Sequence, residues 1–151
     1  LQDLHAQGVK LRIIGDRSRF AKDIHVMMDE SEQLTRQNTR LNLNVAVNYG
    51  GRWDIVEASK ALARKVQNGE LAPDEISEQT LQQQMSLGDL PEPDLLIRTG
   101  GDYRVSNFLL WDIAYTELYF TDAFWPEFDG NHLRQAVQTF SARLRRFGRR
   151  A

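Results

Sequence analysis

The sequence contains no cysteine, which excludes a disulfide framework and any metal site built on thiolates. It has no apolar run near the ~20 residues that a membrane-spanning helix needs, and no signal peptide is recognisable at its start. The net charge is only −2, so the overall charge does not attract nucleic acid and any anion site must be local. These absences favour a cytoplasmic protein without a nucleic-acid partner.

What is present is an ordinary globular composition, with 41% apolar and 26% charged residues. A chain of 151 residues is long enough for one domain with a sizeable core. No repeat, low-complexity stretch or composition shift marks a boundary, so we predict a single domain over residues 1–151. The first eight residues resemble the last turns of a helix closed by Gly8, without an initiator Met. We therefore expect this sequence to be part of a longer protein.

Apolar segments rich in β-branched residues alternate with helical patterns four times along the chain. This alternation predicts an α/β fold with a mainly parallel sheet flanked by helices. The second strand turns continuously apolar and is predicted to lie in the sheet interior. Polar side chains are predicted to cap three helices: Asp16 or Ser18, then Ser77, then Asp129 or Asn131. The predicted strands cover residues 9–14, 41–47, 95–97 and 118–120.

Residues 94–120 carry most of the candidate chemistry. Gly100 and Gly101 follow an apolar strand, and glycines permit the positive φ that lets backbone N–H groups point at a bound anion. Charged and polar hydrogen-bond donors surround this turn, and an apolar run at 108–114 predicts a helical segment behind it. Together with the later acid Glu117, the pattern indicates a diphosphate and metal site. The alternative is an ordinary turn and a structural acid. The donors are Arg98, Arg104, Ser106 and Asn107.

A second glycine pair, Gly50 and Gly51, also follows a predicted strand and precedes Arg52. In a parallel sheet both glycine turns are expected at the carboxyl edge, where ligands bind. The alternative for this loop is a plain helix entry.

Two blocks resemble sequence signatures of the cis-prenyltransferase family: NYGGRWDI at 48–55 and IRTGGDYRVSNFLLWDIAYTELYF at 97–120. The resemblance extends over essentially the whole chain. It implies a cis-prenyltransferase-like α/β fold and a Mg²⁺-dependent transferase. Such an enzyme condenses isopentenyl diphosphate with farnesyl diphosphate to make undecaprenyl diphosphate, the precursor of the lipid carrier for bacterial wall synthesis.

The resemblance also implies roles for individual residues. Arg98, Arg104, Val105 and Ser106 match positions that bind isopentenyl diphosphate, and Glu117 matches an acid that helps bind Mg²⁺. Near the end of the chain, Arg146 and Gly148 match an Arg-x-Gly motif that completes the neighbouring subunit's site in family homodimers. Peripheral contact with a membrane during product release is a further expectation.

The sequence departs from the family pattern in two ways. Tyr103 stands where many relatives carry His. The family's N-terminal Asp-Gly-Asn-Gly-Arg-Trp motif, which contains the catalytic Asp, and its Ser-x-Glu-Asn-Trp block are missing. The resemblance therefore implies a chain that carries the isopentenyl diphosphate half of the site and is inactive alone.

Three other interpretations stay open: a non-catalytic accessory subunit, an inactive fragment, or an unrelated nucleotide-binding α/β module. Arg98, Arg104 and Glu117 argue against an accessory subunit, because a subunit without its own site has no need of them.

Overall fold

The computed structural model describes residues 1–142, which fall into two compact units, Leu1–Ser86 and the part of Leu87–Ala151 that is described. The alternation of helices and strands confirms the predicted α/β class. None of the described helices is long and apolar enough to cross a membrane. The first unit contains α1 (Gln2–Ala6), β1 (Val9–Ile14), α2 (Lys22–Thr35), β2 (Leu41–Ala46), α3 (Gly51–Gln67) and α4 (Glu78–Gln82), and the second contains β3 (Leu95–Arg98), β4 (Glu117–Phe120) and α5 (Gly130–Ala142).

Hydrogen bonding joins the described strands in two parallel pairs. In the first unit β1 pairs with β2, with Val9 opposite Leu41. In the second unit β3 pairs with β4, with Leu95 opposite Glu117 and Arg98 opposite Phe120. The parallel pairing confirms the prediction that the sheet is mainly parallel. The two glycine loops follow strands of different pairs, so their sharing one sheet edge stays a prediction, as does the single domain.

Side chains of α2 cover the outer edge of β1. The Leu11 amide donates to Thr35 Oγ1 at 3.0 Å, and the Ile13 amide donates to Glu32 Oε1 at 2.6 Å. Thr35 is fully buried at this contact. Because these helix side chains satisfy strand N–H groups, the edge offers fewer free donors to another strand. These two hydrogen bonds attach α2 to β1 within the first unit.

A buried carboxylate joins α3 to the end of the first unit. Asp54 is 2% exposed and accepts hydrogen bonds from Tyr49 Oη at 2.8 Å and from Ser86 Oγ at 2.7 Å. The Ser86 amide also donates to Asp54, and Arg12 donates to the Ser86 carbonyl at 2.7 Å. Several donors converge on this buried carboxylate. Their hydrogen bonds offset the cost of removing its charge from water.

Two predictions for the first unit are wrong. Asp16 does not begin α2: it accepts from the Ser18 amide and opens a short 3₁₀ turn, and α2 starts at Lys22. The second strand is not interior, because Leu41 is 56% exposed and most of its neighbours on β2 are exposed as well. Helices α1 and α2 pack on β1 rather than on β2, which explains the exposure.

In the second unit the predicted helix behind the glycine turn is also wrong. Residues 106–115 form a succession of turns and bends. Ser106, Asn107 and Leu109 have φ values of 47°, 63° and 45°, in the left-handed region that a right-handed helix excludes. The caps predicted at the other two helices are confirmed: Ser77 accepts from the Thr80 amide, and Asp129 accepts from the first amides of α5.

Candidate functional site

The glycine turn begins where β3 ends. Gly100 and Gly101 have φ values of 86° and 74°, so both need the freedom of glycine, as predicted. Their N–H groups, however, donate to the carbonyls of Ala123 at 2.9 Å and Thr121 at 3.0 Å. The expectation that these groups point at a bound anion is therefore wrong. The turn continues the pairing between β3 and β4, so these two N–H groups are not available to an anion.

Arg98 organises the loop that follows this turn. Its Nη1 donates to the Arg104 carbonyl at 2.5 Å and to Ser106 Oγ at 2.8 Å. Its Nη2 donates to Asp102 Oδ2 at 2.7 Å. The side chain is 24% exposed, so the guanidinium is partly shielded from water. The Arg98 guanidinium thus contacts residues 102, 104 and 106 of the loop, and these contacts hold the loop close to the end of β3.

Arg104 approaches the same carboxylate from the other side. Its Nη2 donates to Asp102 Oδ2 at 2.8 Å, while 65% of its side chain is exposed. One carboxylate oxygen therefore bridges two guanidiniums. Sequence reasoning missed Asp102. The signal that could have identified it is an acid placed four residues after one arginine and two before the other, directly behind a glycine pair.

Backbone strain is concentrated beside the arginines. Ser106 and Asn107 are consecutive non-glycine residues with positive φ, a conformation that costs each residue roughly 1 kcal/mol or more. The strained turn holds the Ser106 hydroxyl 2.8 Å from Arg98. Strain of this kind persists only where surrounding contacts enforce it, and the Arg98 fork supplies such a contact.

A pocket of about 250 Å³ opens beside Arg98. Its polar end is formed by Arg98 and Ser106, and the remaining walls are mainly apolar. An adjoining apolar pocket of about 160 Å³ shares three of these walls. The arrangement suits a small amphiphile with an anionic head and a short hydrocarbon body. The larger pocket is lined by Leu96, Ile97, Arg98, Val105, Ser106 and Phe108.

Tyr103 attaches the loop to the segment after β4. Its hydroxyl donates to Asp122 Oδ1 at 2.9 Å, and its ring lies 5.5 Å from the Phe120 ring. The hydrogen bond to Asp122, together with the charge of that carboxylate, raises the pKa of Tyr103 above its usual value. At neutral pH the hydroxyl therefore keeps its proton and remains a donor. Its contact is with a carboxylate rather than with the arginines.

Glu117 lies apart from the arginine cluster within the strand pair. It is the first residue of β4 and is opposite Leu95, whereas Arg98 is opposite Phe120 at the other end. The two ends are three residue steps apart, roughly 10 Å at the usual rise of about 3.3 Å per residue. Glu117 is half-buried. The structure therefore brings Arg98, Arg104 and Ser106 together, with Val105 in the same pocket, but does not bring Glu117 to them.

Among residues 1–142 no group of three or more His, Cys, Asp or Glu side chains is placed to hold a metal ion. A Mg²⁺ ion commonly takes one or two carboxylates and completes its shell with substrate phosphate and water. A single carboxylate such as Glu117 fits that role, but not a site built from protein ligands alone. Arg146 and Gly148, predicted to act across a dimer, lie outside the described residues.

Comparison with known sequences gives a consistent result. The family model described as "Putative undecaprenyl diphosphate synthase" matches residues 1–148. Curated relatives named ditrans,polycis-undecaprenyl-diphosphate synthase, farnesyl-diphosphate specific, include proteins of Vibrio cholerae, 51% identical over 98% of this chain, and Pseudomonas aeruginosa, 54% identical over 99%. The chain covers 59% of the length of each.

Solved structures agree with the sequence comparison. Lavandulyl diphosphate synthase from Lavandula x intermedia, solved with dimethylallyl diphosphate, is 38% identical and has a TM-score of 0.92. The match covers 97% of this chain and 63% of that one. A "probable undecaprenyl diphosphate synthase" from Campylobacter jejuni is 32% identical with a TM-score of 0.85, and the match covers 98% and 67% of the two chains.

Proposed function

The chain belongs to the undecaprenyl diphosphate synthase family, and from that premise we propose that it supplies the isopentenyl diphosphate-binding part of a cis-prenyltransferase. The enzyme would condense isopentenyl diphosphate with farnesyl diphosphate to form undecaprenyl diphosphate, the precursor of the bacterial wall's lipid carrier. The observation that carries the proposal is the Arg98–Asp102–Arg104 cluster at the polar end of a small apolar pocket.

The two arginines form the diphosphate clamp, defined as the guanidiniums of Arg98 and Arg104. A guanidinium presents several N–H donors in a planar fork that matches phosphate oxygens, and it keeps its charge at any physiological pH. Arg98 is held by the Ser106 hydroxyl and the Arg104 carbonyl, so its orientation is fixed before an anion arrives. A preorganised donor loses little entropy on binding, which favours affinity.

The apolar walls bind the hydrocarbon part. Val105 lines the pocket beside Ser106, and Leu96, Ile97 and Phe108 extend the apolar surface away from the clamp. A five-carbon isopentenyl group is small enough for a pocket of about 250 Å³. Excluding water from this space strengthens the ion pairs at its polar end.

Mg²⁺ is the proposed cofactor, and Glu117 would be one of its carboxylate ligands. When bound, the ion neutralises diphosphate charge and favours departure of the leaving group. The position of Glu117, at the end of the strand pair away from Arg98, means that this role and the clamp belong to different ends of the pair. We also propose a homodimer with Arg146 and Gly148 at the neighbouring site, a cytoplasmic location, and peripheral membrane contact.

Calorimetric titration of the 151-residue chain tests the proposal. Isopentenyl diphosphate should bind more tightly than inorganic pyrophosphate, because the apolar pocket adds to the clamp, and ATP should bind more weakly than both. Isopentenol, which has the hydrocarbon without the charge, should show no measurable binding. Preferred binding of ATP would instead support a nucleotide-binding module. Equal affinities for pyrophosphate and isopentenyl diphosphate would show that the apolar pocket does not contribute to binding.

A further inference from the structure

The two arginines of the diphosphate clamp already hold an anion, and that anion belongs to the chain. Asp102 Oδ2 accepts from Arg98 Nη2 at 2.7 Å and from Arg104 Nη2 at 2.8 Å. These distances are typical of strong charge-assisted hydrogen bonds. Both bonds end on a single oxygen, so one carboxylate neutralises part of the charge of two guanidiniums.

A carboxylate and a phosphate compete for the same donors. Arginine binds both with the same planar set of N–H donors. An anion that enters the clamp therefore competes with Asp102 for the Nη2 groups that Asp102 engages, and it is repelled by the negative charge of that carboxylate. We propose that Asp102 is an internal counter-anion that competes with diphosphate for Arg98 and Arg104. It orients the two guanidiniums in the free protein and lowers the affinity of the clamp for any anion. This inference rests on the proposed function.

The surroundings allow the carboxylate to move aside. The Asp102 side chain is 41% exposed, so it can rotate into solvent without opening the core. Arg98 would keep its contacts with the Arg104 carbonyl and Ser106 Oγ after losing Asp102, which leaves its fork in place. Asp54 is the opposite case, since that carboxylate is buried and bound by several donors. Asp102 is therefore a displaceable partner, and Asp54 is a fixed one.

The test is the dissociation constant for inorganic pyrophosphate, measured by calorimetry at fixed ionic strength on the 151-residue chain. Asp102→Asn keeps the shape and one acceptor but removes the charge. Its affinity should rise about 3- to 10-fold, the factor that corresponds to ~0.7–1.4 kcal/mol for a partly exposed charge. Glu92→Gln is the control for net charge, because Glu92 is an exposed acid of the same unit that precedes β3 and lies outside the loop. Its affinity should change less than about twofold.

A gain in affinity separates competition from a purely structural role, since damage to the loop would weaken binding. If Asp102→Asn binds pyrophosphate with equal or lower affinity while the unmodified chain binds it, the inference is wrong and the clamp stands. An equal gain in Glu92→Gln would assign the effect to net charge and also overturn the inference. If none of the proteins binds pyrophosphate, the clamp itself fails. Asp102→Ser, which is also neutral, carries the same expectation should Asp102→Asn not fold.

Discussion

Replacing the two clamp arginines should separate binding from stability, because the two side chains have different surroundings. Arg98 is 24% exposed and makes three hydrogen bonds within its loop, whereas Arg104 is 65% exposed and contacts only Asp102 through its described side-chain bonds. Arg98→Ala should therefore weaken both anion binding and folding. Arg104→Ala should weaken binding alone.

The magnitudes follow from the contacts. Losing one charge-assisted contact to a partly shielded diphosphate costs at least ~2 kcal/mol, or roughly 30-fold in affinity, for either variant. Arg98→Ala also leaves the Ser106 hydroxyl and the Arg104 carbonyl without this donor. The free energy of unfolding should fall by ~1–2 kcal/mol. For Arg104→Ala it should change by less than ~0.5 kcal/mol, as expected for an exposed ion pair.

The assays are calorimetry with isopentenyl diphosphate and urea unfolding, both on the 151-residue chain. Arg134→Ala is the control, because Arg134 is also an exposed arginine of the second unit and donates to Asn131 on α5 rather than to the loop. Arg98→Lys should recover only part of the binding, since one ammonium cannot reproduce the fork. Unchanged affinity in both alanine variants would refute the clamp, and equal stability losses would refute the separation of roles.

Three further results are expected. Glu117→Gln, in an active enzyme containing this chain, should raise the Mg²⁺ concentration for half-maximal rate without changing the melting temperature; an identical titration curve would make Glu117 structural. Asp54→Asn should lower the free energy of unfolding in urea by ~3 kcal/mol, because donors then face a buried amide, whereas exposed Asp74→Asn should not. Hydrogen bonds from the His132 amide and the His132 ring, with a smaller contribution from the Asn131 amide, lower the pKa of Asp129 to about 2. Its stabilisation should be complete above about pH 4 and lost as the pH falls towards 2, measured against Asp129→Asn, whose cap does not titrate.

Local signals in the sequence predicted the elements that depend on local physics. Strand β1 follows Gly8, which has φ of 72°, and α5 begins at an aspartate cap. Each such signal acts over a few residues and does not need the rest of the chain. The predictions that depended on distant partners failed more often. Side chains of α2 cover β1 and leave β2 exposed, and no pattern within β2 itself reports which strand a helix will cover.

The glycine turn shows the same limit at the site. Positive φ at Gly100 and Gly101 could be predicted from the residues, but the direction of their N–H groups could not. The carbonyls of Thr121 and Ala123, some twenty residues later, accept these hydrogen bonds. A backbone donor pairs with whichever acceptor the fold brings to it. Apolar spacing at 108–114 was likewise consistent with a helix, while the contacts around Ser106 impose left-handed turns.

The two acids of the second unit show why residue type alone cannot assign a site. In the sequence Glu117 is conspicuous as a lone acid before an apolar strand, whereas Asp102, an acid between two arginines, resembles an ordinary surface ion pair. The strand register places Asp102 at the clamp and Glu117 away from it. Parallel pairing puts Glu117 at the end of β4 opposite Leu95, away from Arg98, while the turn after β3 returns Asp102 to 2.7 Å from the Arg98 guanidinium. A metal role for Glu117 therefore requires a phosphate or ligand that reaches its end of the strand pair. An anion that binds the two arginines, by contrast, meets the negative charge of Asp102.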